Sequence, residues 1–84
     1  MQNSMITFRS VTPAQRAQAY LRREGISCHI QRTPRYLESQ GCGYGLYLPA
    51  GSAVEAVRHL RSAGIDYRKV YLQLGDGKLE ELHL

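Results

Sequence analysis

Polar and apolar positions alternate in three stretches of the chain and follow a helical period in two others. Met5-Ile6-Thr7-Phe8 is a short strand candidate. Thr12-Pro13-Ala14-Gln15 predicts a helix start, with Thr12 as cap, Pro13 at the first helical position and Gln15 reaching back to the cap amide. Ala14, Ala17 and Leu21 then share a face, with Val11 and Tyr20 at its edges, and the helix is expected to stop at Gly25. From Ile26 to Arg32 the alternation is strict, Ile26, Cys28 and Ile30 on one side and Ser27, His29 and Gln31 on the other, as in a half-buried strand.

Extended structure resumes at Tyr44-Gly45-Leu46-Tyr47-Leu48 and ends at Pro49 and Gly51. Ser52-Ala53-Val54-Glu55 repeats the capping-box pattern, with Ala53, Val54, Val57 and Leu60 as the buried stripe and Gly64 as the stop. Residues 67–74 alternate again with Val70, Leu72 and Leu74 inward. Gly75-Asp76-Gly77 reads as a turn, and 78–84 as a short edge strand or a tail. Leu21-Arg22 and Gly25-Ile26 recur as Leu60-Arg61 and Gly64-Ile65 at a constant offset of 39, each time closing a helix and opening a strand. The expected order is therefore β-α-β-β-α-β in two similar halves. This is an α+β, ferredoxin-like sandwich: a four-stranded antiparallel sheet with two helices on one face.

Length fits a single domain over residues 1–84 with its core at about 5–74. No run approaches the ~20 apolar residues that span a bilayer, and the first residues do not resemble a secretory signal, so the expectation is a cytoplasmic protein with no membrane contact. The net charge of +4 rests on nine Arg and two Lys, spread from Arg9 to Lys78 without a block, a mild bias toward anionic partners. Cys28, Cys42 and three scattered His give no zinc spacing, so no metal and no cofactor are expected.

The two cysteines differ in setting. Cys28 lies mid-strand between Ile26 and Ile30, where a buried, unreactive thiol is the default. Pairing the second and third strands as a hairpin puts Cys28 near Leu48, about 20 Å from Cys42 at the usual rise per residue, too far for a disulfide. Cys42 stands between Gly41 and Gly43 at the end of the long connection after the second strand. In the expected topology that connection lies at the same end of the sheet as the exit of the first strand and the start of the first helix, beside Arg9 to Thr12. Its parity with Tyr44, Leu46 and Leu48 aims the sulfur toward that helix start. Positive charge there, with Arg9 or Arg35 nearby, favours the thiolate. Ser10 and the free amides of the first turn offer bonds to an anionic group brought to the sulfur, and Arg35, fixed behind Pro34, is the expected side-chain partner.

Phe8-Arg9-Ser10 after the first strand, Thr33-Pro34-Arg35 after the second and Cys42-Gly43 opening the third, with Ser39 between, resemble the motifs of the small bacterial selenium/sulfur carrier-like domain. Arg9 and Arg32 stand where that pattern has other residues, and Gln40-Gly41 interrupts its serine run. The resemblance implies a carrier that accepts a sulfane sulfur or selenium on Cys42 as a persulfide or selenosulfide and passes it to an acceptor protein. It also implies a site of Cys42 with Arg9, Ser10, Thr33, Pro34, Arg35 and Gly43. The competing readings are a non-catalytic ferredoxin-like binding or regulatory module, in which Tyr47, Tyr67 and Tyr71 form a homodimer surface on the sheet face or edge, and an RNA-binding domain. The latter is disfavoured because Cys42, Leu46 and Pro49 occupy the basic and aromatic positions of the RNA-recognition signature.

Overall fold

The computed structural model describes residues 3–33 and 43–83. In chain order these form β1 (Asn3–Phe8), α1 (Val11–Arg23), β2 (His29–Arg32), β3 (Tyr44–Pro49), a short 3-10 turn (Ala50–Ser52), α2 (Ala53–Ala63), β4 (Val70–Gln73) and β5 (Leu79–Leu82). All strand pairs are antiparallel, in the spatial order β2-β3-β1-β4-β5. The expected four-stranded sheet is thus corrected to five. The added strand follows from the turn after β4: Leu74 N–H donates to Lys78 O at 2.7 Å, Gly77 N–H to Leu74 O at 2.9 Å, and Asp76 Oδ1 accepts from Lys78 N–H at 3.0 Å. With the chain reversed in this way, Leu82 packs against the core.

Strand alternation sets the two faces of the sheet. Ile6, Phe8, Leu46, Leu48 and Val70 share one cluster with Ala14, Ala17 and Leu21 of α1 and Ala56, Val57 and Leu60 of α2, so both helices cover the same face. On the opposite face Met5, at the centre of β1, is fully buried and lies over Gly45. A Cβ on Gly45 would stand 2.7 Å from Met5 Sδ, so the glycine makes the room that Met5 occupies. His29 stacks on Tyr47 on this face, with ring centroids 5.7 Å apart.

Both helix starts depart from expectation. Ser10, not Thr12, is the N-cap of α1, in extended backbone (φ −149°, ψ 174°) and without a side-chain capping bond. Pro13 therefore sits at the third helical position. An amide there has no intrahelical acceptor either, so starting the helix two residues early loses nothing. Ser52 likewise makes no capping bond, because the 3-10 turn leads directly into α2. Val54 is 56% exposed, and Ala56 takes its place in the buried stripe. The spacing 53, 56, 57, 60 keeps one helical face, whereas 54 is a third of a turn away.

Candidate functional site

Strand pairing at one end of the sheet joins Thr33 to Gly43 and sets the exit of β1, with Arg9 and Ser10, beside them. The β1–β3 register ends at Phe8 opposite Tyr44, and the β2–β3 register at Arg32 opposite Tyr44. One step further, Thr33 N–H donates to Gly43 O at 3.1 Å, clasping the point where the described chain leaves β2 to the point where it enters β3. Beside this end β1 runs through Arg9 and Ser10 into α1, as the topology predicted. Cys42, Pro34 and Arg35 lie outside the described residues, as do Ser39 and the rest of the 34–42 connection. Gly43, the residue bonded to Cys42, is buried.

Thr33 is 9% exposed, and its Oγ1 has no hydrogen-bond partner among the described residues. A buried hydroxyl left unpaired costs about 1–3 kcal/mol. The first turn of α1 is open in the same sense. Its amides receive no side-chain cap, no acidic residue stands in it, and Ser10 is exposed. No residue of the first turn itself compensates the positive end of the helix dipole.

On the far side of α1's start, the α2–β4 connection closes a cleft of about 540 Å³. Arg9, Pro13 and Arg16 line one wall, and Asp66, Tyr67 and Arg68 the other. Thr7 locks the second wall to β1: its N–H donates to Lys69 O at 2.8 Å, its O accepts from Arg68 N–H at 2.8 Å, and its Oγ1 accepts from Lys69 N–H at 3.0 Å. The ammonium of Lys69 lies 3.7 Å from Glu81 on β5. Sequence reasoning selected Arg9 and Ser10, and named Tyr67 for a different surface, but did not single out Arg16, Asp66 or Arg68; the two walls lie about fifty residues apart along the chain and meet only through the β1–β4 pairing.

Cys28 is buried as expected, at 4% exposure within the core cluster. Burial pushes its thiol pKa up, partly offset by the Arg22 guanidinium. That guanidinium is itself held by Cys28 O, which accepts from Nε at 3.2 Å and from Nη2 at 2.9 Å, and the thiol lies 3.8 Å from Gln18 O. A desolvated, protonated thiol of this kind is a poor nucleophile at neutral pH.

The aromatic surface expected for a homodimer is corrected at Tyr71. Tyr71 is 6% exposed and offers little area to a second copy, whereas Tyr67 is half-buried against the core. Among the described residues no group of three or more His, Cys, Asp and Glu could hold a metal ion, and no helix is long and apolar enough to cross a membrane. A family model described as "Putative Se/S carrier protein-like" matches residues 3–72. No curated protein and no solved structure matches the chain.

Proposed function

Since the chain belongs to the Se/S carrier protein-like family, we propose that it carries sulfane sulfur or selenium on Cys42 between a donor protein and an acceptor protein in the bacterial cytoplasm. In the sulfur case the Cys42 thiolate attacks the outer sulfur of a donor persulfide. The donor's S–S bond breaks, its thiolate leaves, and a Cys42 persulfide remains with no net change of oxidation state. An acceptor nucleophile then takes the outer sulfur and returns Cys42 as thiolate. Selenium follows the same course through a selenosulfide. The steps need an accessible thiolate and nearby positive charge, and neither metal nor triad. The fold underlying this reading is a ferredoxin-like unit of β1 to β4 and the two helices, with β5 added at one edge.

The observation that carries the reading is the Thr33–Gly43 clasp, which ties the two ends of the Cys42-bearing connection beside the uncapped start of α1. The Thr33 hydroxyl, without a partner among the described residues, and Arg9 add donors at that end. Arg35 and Pro34 keep the roles that the family motif implies. The test is intact-mass analysis after incubation with a cysteine desulfurase and cysteine. A one-sulfur adduct is expected in the native protein and in Cys28→Ser, and none in Cys42→Ser. An adduct that survives Cys42→Ser, or none in any of the three, overturns the carrier reading. In the same protein iodoacetamide should label Cys42 faster than Cys28.

One observation favours a second reading, a binding module that forms a homodimer. β2 is a four-residue strand with mostly exposed side chains, paired on one side only, and such an edge can pair with a second copy. A sedimentation profile independent of concentration would remove it. Nucleic-acid binding through the sheet is not favoured, with Tyr71 buried and Tyr47 stacked on His29.

A further inference from the structure

The cleft between α1 and the α2–β4 connection shares Arg9 and Ser10 with the site of the carrier reading but opens on the other side of the α1 start, and it has the features of a small-ligand site. Its volume of about 540 Å³ lies in the range of about 300–1,000 Å³ usual for such sites. Arg9 and Arg16 line it, and neither has an ion-pair or side-chain hydrogen-bond partner among the described residues, although a carboxylate, Asp66, lines the same cleft. Two guanidinium groups without a partner present planar forks of N–H donors, the geometry that matches two oxygens of one phosphate. The wall opposite is fixed, because three bonds to Thr7 hold the backbone of Arg68 and Lys69.

The lining also indicates what the anion is attached to. Asp66 penalises a dense polyanion and offers an acceptor to an O–H or N–H group. Pro13 and half-buried Tyr67 give apolar surface. Lys69, also in the lining, lies 3.7 Å from Glu81. We propose that this cleft binds a small phosphomonoester, its phosphate on Arg9 and Arg16 and its organic part between Asp66 and Tyr67. The inference stands on these residues alone and does not depend on Cys42.

The test is a 1H–15N correlation titration of the full chain with inorganic phosphate and, separately, adenosine 5′-monophosphate, at ionic strength held constant with chloride. Saturable shifts are expected at amides within 10–16 and 64–69, with the nucleotide several-fold tighter than phosphate. Arg16→Ala should weaken nucleotide binding about tenfold, and Arg16→Lys by less, because the lysine keeps the charge and loses the fork. Both variants alter an exposed helical position, so the spectrum itself reports that they are folded. Shifts that do not saturate, that saturate elsewhere, that are as tight for phosphate as for the nucleotide, or that survive Arg16→Ala overturn the proposal. So does a single-stranded oligonucleotide that shifts β1 and β3 amides and displaces the nucleotide, which would make the ligand a polynucleotide.

Discussion

At the end of α1, Gly25 N–H donates to Arg22 O at 3.1 Å and Ile26 N–H to Leu21 O at 2.9 Å; at the end of α2, Gly64 donates to Arg61 at 3.2 Å and Ile65 to Leu60 at 3.0 Å. Both glycines have positive φ, 84° and 71°, and both isoleucines return to the core against their leucines. This is the same Schellman closure made twice. The helix starts are unlike. The first turn of α2 contains Glu55, which compensates the dipole, whereas the first turn of α1 contains no acid and opens onto arginine. The two units agree where packing dictates it, at their ends, and diverge in charge at their starts.

The equivalence of the two closures can be broken at its leucines. Leu21 and Leu60 are both fully buried, so Leu21→Ala and Leu60→Ala should each cost about 2–5 kcal/mol in urea unfolding. A difference between them larger than about 2 kcal/mol would show that one helix carries the core and the other decorates it. The glycines sharpen the same point. Nothing lies within 4 Å of a Cβ built on either, so Gly25→Ala and Gly64→Ala test backbone conformation alone and should cost about 1–2 kcal/mol apiece. Gly51→Ala, also uncrowded but without positive φ, is the control and should be near neutral.

The closures were legible in the sequence because a Schellman end is local: a leucine, a glycine four residues on and an isoleucine after it suffice. Strand alternation at Leu48 and Val70 was legible for the same reason, as each residue's face is set by its neighbours; Ile26 and Cys28 are buried as the alternation implied, but the strand expected from Ile26 begins only at His29, because pairing with β3 starts there. The α1 start was misread because Thr12-Pro13 is a good cap signal in isolation, while the true start is fixed by where β1 stops pairing with β3. β5 was left between strand and tail, since a four-residue edge gains its pairing only from the turn before it. The cleft was invisible, as its two walls meet through the long-range pairing of Thr7 with residues 68 and 69.

Thr33 extends the comparison from packing to function. Replacing its unpaired hydroxyl by a methyl in Thr33→Val should stabilise the protein by about 1 kcal/mol, because the cost of desolvating that group disappears. If the hydroxyl serves the carried group, the same variant should hold less of the sulfur adduct despite being more stable. A loss of stability would instead mean that the hydroxyl has a partner in the folded chain.

The smallest effect tests the helix starts directly. Thr12 is exposed in the first turn of α1, so Thr12→Glu supplies the charge that Glu55 supplies to α2 and should stabilise by about 0.5 kcal/mol at low salt, vanishing at high salt. Glu55→Gln should lose a similar amount, part of it from His59 Nε2, 3.7 Å from the Glu55 carboxylate. The two changes exchange the electrostatic character of the starts, and their functional consequences should be opposite. Thr12→Glu places a negative charge where both the thiolate and the phosphate are argued to be held, so loading of Cys42 should slow and nucleotide affinity fall while stability rises. Glu55→Gln should lower stability and leave both activities unchanged. If the two variants shift loading and binding equally, the effect is one of net charge and the start of α1 is not special. If only Thr12→Glu does so, the uncapped turn is a stability cost retained for function.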